Sequence, residues 1–265
     1  MHTPSKADIS ASYDVYYGSG LYASRYPRPN AWVLNLVEDL LGEGSPMVLD
    51  FGCGEGRYAA PLLERSAARL IGYDISPTAI AHLAARCEPF VREGRLLAID
   101  GDLDACLAAC AARGPVDVAL LLFGVLTHIR GRAERIETLA RLRQAMKPDG
   151  RLVLTVGNRA RRFHAEQTML AGEVAAGGLE PGDVLYGREQ DGKIIELFIH
   201  LYDPAEFRRD LEEAGFRVLR MTAESVLPER AVTNWGAMAV LDDVLRAVLP
   251  LHGAYDFLAV CAPAA

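Results

Sequence analysis

Glycines at alternate positions carry the first chemical signal. Gly52, Gly54 and Gly56 stand in Val48-Leu49-Asp50-Phe51-Gly52-Cys53-Gly54-Glu55-Gly56, directly after an apolar run. Without a Cβ the turn can tighten, and a ligand can lie against bare backbone. The helix expected next offers unsatisfied N–H groups and the positive end of its dipole. An ordinary tight strand-to-helix turn would read the same way, so the partners of the loop decide its meaning. Asp74 follows about twenty residues on, at the end of a second apolar run, where an acid can hold the two hydroxyls of a ribose. Asp102, in Gly101-Asp102-Leu103, follows a third run. Its carboxylate can accept from an exocyclic adenine amine while Leu103 packs on the ring. All three positions fall at carboxyl ends of neighbouring strands, where such sheets bind ligands.

The elements that must position these residues are short apolar strands alternating with helices. Strands are expected over 46–51, 70–73, 95–99, 116–123 and 151–156. The run 116–123 is apolar enough to be covered on both faces. Val33, Leu36, Val37, Leu40 and Leu41 repeat at helical spacing before the first strand. Ser76-Pro77 caps and opens a helix after the second. A helix over 132–146 closes at Lys147-Pro148-Asp149-Gly150. The alternation predicts a doubly wound sheet. Residues 158–193 break the rhythm. They are polar, Gly-rich and partly helical, and read as a lid over the strand ends. Order returns over 194–202. Asp203-Pro204-Ala205-Glu206 opens another helix with a cap, a first-turn proline and a capping-box glutamate. Strands over 216–221 and 255–261, with a helix over 237–249 between them, complete the chain. The implied units are an N-terminal cap (1–45), a core (46–157), a lid insertion (158–195) and a C-terminal completion of the sheet (196–265).

Asp50 to Gly56, Asp74, Asp102, the strand 116–123 and the turn 147–150 together resemble the class I S-adenosylmethionine-dependent methyltransferases. The resemblance is good over 34–156 and looser over the last two strands. It implies a mostly parallel seven-stranded Rossmann-like sheet with an antiparallel C-terminal strand, and S-adenosyl-L-methionine as cofactor. In that family the glycine loop faces the methionine part, the acid after the second strand holds ribose, and the acid after the third holds adenine. The implied cofactor set is Asp50, Gly52, Gly54, Gly56, Asp74, Ile75, Asp102, Leu103 and Phe123. Many small-molecule members also pair an N-terminal arginine with the cofactor carboxylate, a role that Arg25 matches. An exposed surface arginine is the alternative there. Methyl transfer is an in-line displacement at a sulfonium, and a hydroxyl or protonated amine acceptor also needs a base. His128, shortly after the fourth strand, is the first candidate; a structural or cofactor-contacting histidine is the alternative. His200 and Tyr202 come second.

The chain of 265 residues is 51% hydrophobic with a formal net charge of −7. That charge counts against a nucleic-acid partner, since only Arg159, Arg161 and Arg162 cluster. A small-molecule acceptor under a lid is therefore the leading expectation, by O- or N-methylation. Other readings are a tRNA-nucleoside methyltransferase (Glu166-Gln167 loosely resembles the wobble-uridine carboxymethyl enzymes), a nicotinamide-dinucleotide oxidoreductase, and a non-catalytic cofactor-binding protein. No signal-peptide pattern and no membrane span are read. The five scattered cysteines suggest neither a zinc site nor a disulfide framework. A cytoplasmic setting is expected. Oligomeric state and acceptor identity are not encoded in these patterns.

Overall fold

The computed structural model describes residues 6–190 and 193–264. Nine strands are placed among them: β1 (Met47–Phe51), β2 (Arg69–Asp74), β3 (Leu96–Asp100), β4 (Val116–Leu121), β5 (Met146–Gly157), β6 (Asp183–Gln190), β7 (Lys193–His200), β8 (Phe216–Ser225) and β9 (Asp256–Pro263). Seven form one sheet in the order β3-β2-β1-β4-β5-β9-β8. β1 to β5 are parallel, and β9 runs antiparallel to both its neighbours, so β8 is parallel to β5. This is the class I methyltransferase arrangement expected from the sequence.

Strand residues alternate between two apolar layers. Met47, Leu49 and Phe51 face a core completed by the helices Leu103–Arg113, Arg132–Ala145 and Pro204–Glu213. Val48 faces a second core completed by the helices Ala31–Leu41, Ala59–Arg65 and Pro77–Arg86. Chain reversal at β1 leaves the carboxyl ends of β1, β2 and β4 open at one edge, beside the end of β5 and the start of β9.

Two elements cover that edge. The helix Lys6–Gly18 is anchored by Asp14, whose Oδ1 accepts from Ser76 Oγ (2.6 Å) and from Thr78 N (3.1 Å). The second cover is the antiparallel hairpin β6–β7, with Asp183 opposite His200. The expected lid therefore needs its boundary moved. β6 begins inside 158–193 and pairs with the stretch read as the return of order, so the excursion runs to His200. Turn residues 147–150 lie inside β5, and β8 extends four residues beyond the expected end at Met221. Among the described residues no helix is long and apolar enough to cross a membrane. All five cysteines are buried free thiols.

Candidate active site

A cavity of about 730 Å³ opens at the strand-end edge. That is within the usual range of ligand pockets, roughly 300–1,000 Å³. Asp50, Gly52, Asp74, Ile75, Leu103, Phe123 and His128 line it. The structure thus gathers most of the residues singled out by sequence.

The glycines of the loop divide their work. Gly52 has φ +78°, and a Cβ there would meet Val125 Cγ2 at 2.4 Å, so no side chain fits between the loop and the 3₁₀ turn after β4. Gly54 has φ +51° and lies under the Tyr17 hydroxyl, 2.8 Å from where a Cβ would stand. Its N–H donates to Asp74 Oδ2 (2.9 Å). Gly56 packs against Leu83 away from the cavity. Asp74 is 6% exposed, and its Oδ1 accepts from Ser76 N (3.0 Å). Burial raises its pKa to about 6, against the opposing pull of the Ser76, Gly54 and Ile75 backbone bonds. Asp50 is raised to about 7 by burial and by the nearby Asp74. Asp102 caps the helix Leu103–Arg113 by accepting from Ala105 N (2.9 Å). It is exposed and is not part of the cavity wall, which its neighbour Leu103 enters. Phe123 holds a left-handed backbone, φ 62°, uncommon for a bulky residue and characteristic of functional sites.

Several wall residues carried no strong sequence signal. Tyr13, Tyr16 and Tyr17 come from the first helix, and Tyr22 and Tyr26 from the segment after it. Arg57 is 3% exposed and lines the same wall. Its guanidinium stacks 4.5 Å from the Phe123 ring, donates from Nε to the Arg28 carbonyl (2.8 Å), and pairs through Nη2 with Glu229. Among the described residues Nη1 is buried without a hydrogen-bond partner. Arg25, the arginine proposed for the cofactor carboxylate, lies outside the cavity wall, with its guanidinium 5.9 Å from the Tyr26 ring.

His128 is in the wall, but its ring is engaged. Nδ1 lies 2.8 Å from the Phe198 carbonyl, and the Tyr13 hydroxyl lies 2.9 Å from Nδ1 and 3.0 Å from Nε2. A neutral imidazole donating from Nδ1 and accepting at Nε2 satisfies both. Burial lowers its pKa to about 4, against the carbonyl's pull. At neutral pH it is a weak proton acceptor, suited to holding Tyr13.

His200 and Tyr202 stand away from the cavity. Strand alternation sends Leu197 and Ile199 of β7 into the wall and His200 to the other side. There its Nδ1 is 2.7 Å from Asp183 Oδ1 and its Nε2 is 3.2 Å from Glu206 Oε1, which ties the hairpin to the helix Pro204–Glu213. Tyr202 is fully buried, its hydroxyl 3.4 Å from Asp210 Oδ2 and its ring under Arg135. Burial works against the His200 imidazolium, but Asp183 and Glu206 outweigh it and raise the pKa. A raised value contributes stability that is full below about pH 6.5 and is lost as pH rises through the folded pKa. His200→Ala is expected to cost about 1–3 kcal/mol of stability at pH 6. In denaturant unfolding the loss should shrink at higher pH. Ligand affinity at the cavity should not move, and a fall in that affinity with unchanged stability would return His200 to the site.

Comparison with known proteins places this geometry. A family model described as a methyltransferase domain matches residues 22–221. A ribosomal protein L11 methyltransferase of Xanthomonas campestris pv. campestris (strain 8004) is 32% identical over 98 residues, 36% of this chain; the match spans only 30% of that relative's length. Among solved structures, the CcbJ methyltransferase from Streptomyces caelestis superposes with a TM-score of 0.63 at 15% identity, over 92% of this chain and 96% of that one. The glycopeptide N-methyltransferase MtfA, solved with (S)-adenosyl-L-methionine, superposes with a TM-score of 0.53 at 16% identity, over 90% and 95%. At these identities the structural likeness concerns the fold. The family match covers most of the chain and includes the glycine loop, Asp74, Asp102 and the strands beneath the cavity, and on that ground the chain belongs to the methyltransferase-domain family, built on the class I fold.

Proposed function

We propose that the chain binds S-adenosylmethionine at the β1, β2 and β4 ends and transfers its methyl group to a small molecule held beneath the first helix and the β6–β7 hairpin. The observation that carries this reading is the shared cavity. It joins the glycine loop and Asp74 to the ends of β5, β8 and β9, where Thr155, Glu224 and Asp256 stand. Asp74 would accept from the ribose hydroxyls, Leu103 and Ile75 would flank the adenine, and Asp102 would meet its amine at the mouth. We assign the methionine carboxylate to Arg57, which lines the cavity, in preference to Arg25, which does not.

Charge pairing favours an enclosed small acceptor over a nucleic acid. Arg159 pairs with Asp203 (2.5 Å) and Glu206 (3.2 Å), and Arg162 with Asp256 (2.6 Å). Two of the three clustered arginines are thus neutralised in place. Gln167 donates to the Arg159 and Arg162 carbonyls and so braces this turn (2.9 and 2.7 Å).

Calorimetric titration with S-adenosylhomocysteine tests the reading. Binding is expected, and NAD should give no heat. Tight NAD binding with no response to S-adenosylhomocysteine would end the proposal. The titration should also depend on pH. Ribose hydroxyls donate to an ionised Asp74, so affinity follows the ionised fraction and rises with pH through about 6. Between pH 7.5 and pH 5 the affinity is expected to fall at least about tenfold. A flat profile over that interval would remove Asp74 from the ribose site.

A further inference from the structure

The part of the cavity wall over β5, β8 and β9 holds more buried carboxyls than guanidiniums. Glu224, Asp256 and Glu229 are 3%, 6% and 6% exposed, and the guanidiniums facing them are Arg57 and Arg162. Arg57 takes Glu229, and Arg162 takes Asp256. Glu224 is the carboxyl left over. It stands near the end of β8 and lines the cavity. The Thr155 hydroxyl, which accepts from Gly124 N (3.2 Å), hydrogen-bonds the Glu224 carboxyl on one side. Oε1 is buried with no hydrogen-bond partner among the described residues. The main chain around it is fixed: the Trp32 indole donates to the Glu224 carbonyl (2.6 Å), and Asp242 Oδ1 accepts from Val226 N (2.8 Å) and Leu227 N (2.7 Å). A rigid, nearly buried carboxyl in a cavity wall, with one oxygen short of a hydrogen bond, is costly unless a ligand completes it.

We propose that Glu224 receives the acceptor and that the acceptor is a basic amine, which makes the transfer an N-methylation. This rests on the reading of the cavity as a methyl-transfer site and names its substrate class. An ammonium group supplies both the donor that Oε1 lacks and the charge that the excess carboxyl requires. Before transfer, the ammonium passes one proton to Glu224. The freed nitrogen lone pair attacks the methyl carbon, the N–C bond forms, and the S–C bond breaks with its electron pair going to sulfur. The sulfonium becomes a thioether and the product nitrogen carries the positive charge. The proton on Glu224 leaves to solvent with product. Burial and the neighbouring Glu229 hold the Glu224 pKa well above the usual carboxylate range. A bound ammonium stabilises the ionised carboxylate against that shift, and the ionised Glu224 is then more basic than an ordinary carboxylate and takes the proton.

The test uses the full chain saturated with S-adenosylhomocysteine, and three probes of similar shape: phenethylamine, 2-phenylethanol and phenylacetate. Their rings suit the aromatic wall, and they differ at the polar end. The amine is expected to bind at least tenfold more tightly than either of the others by calorimetry. Glu224→Gln should erase that preference while S-adenosylhomocysteine affinity stays within twofold. An equal or reversed ranking in the native protein overturns the proposal without any variant. A Glu224→Gln protein that keeps the amine preference overturns it as well. So does one that loses S-adenosylhomocysteine, because Glu224 would then serve the cofactor. Failure of S-adenosylhomocysteine to bind the native protein is a separate result, and it strikes the methyl-transfer reading itself.

Discussion

Asp74→Ala should lower affinity for S-adenosylmethionine by about 2–4 kcal/mol, some 30- to 1,000-fold, because charge-assisted bonds to two ribose hydroxyls disappear from a largely desolvated site. The structure adds a second effect. Asp74 is the last residue of β2, and its two oxygens accept from Gly54 N and Ser76 N. The alanine variant leaves both donors short of partners, at a cost of about 1–3 kcal/mol of stability. Asp74→Asn keeps a single carbonyl oxygen and should fall between the two in both measurements. Calorimetry with S-adenosylhomocysteine gives the first quantity and urea unfolding the second. A folded Asp74→Ala protein that binds as well as the native one would show that the ribose lies elsewhere.

The contrast between these two effects shows what the sequence could and could not carry. The glycine loop, Asp74 and the first five strands were legible because each is a local pattern. An apolar run bounded by turn residues fixes a strand, and the spacing of the loop and the acid follows from one strand–helix–strand unit. On the sequence alone, Asp74 reads only as an acid at a strand end; its backbone bond to the glycine loop appears only when β1 and β2 pair. Nothing in the local sequence marks Arg57, a charged side chain directly after the glycine loop. Its burial depends on Glu229, 172 residues away. Glu224 lies in a stretch of β8 without hydrophobic alternation, so the strand was ended early and its cavity-facing acid went unseen. The first helix carries a usable signal, Tyr13, Tyr16 and Tyr17 at helical spacing, inside the stretch that the sequence marks only as an N-terminal cap. His200 and Tyr202 were drawn into the site by their place in the chain. Nearness to a strand end is not enough, because neighbouring β residues point to opposite sides.

Arg57→Leu is expected to cost about 3–5 kcal/mol of stability, since it leaves Glu229 buried without its counter-charge. Measured alone, that loss could hide any role at the cavity, because a weakened fold also binds poorly. The paired replacement Arg57→Leu with Glu229→Leu separates the two. Removing both charges from a buried site is often close to neutral for stability, so the double variant should recover most of the loss. If the Arg57 guanidinium serves the methionine carboxylate from the cavity wall, S-adenosylhomocysteine affinity should not recover with the fold. It should remain at least about 30-fold below native, the loss of about 2 kcal/mol that goes with a charge-assisted bond. Adenosine, which has the ribose and adenine but no carboxylate, should bind the double variant and the native protein equally. Affinity for S-adenosylhomocysteine that returns together with stability would confine Arg57 to the ion pair and its stacking on Phe123. The cofactor carboxylate would then have to be met by the backbone N–H groups of the glycine loop and the tyrosines above it.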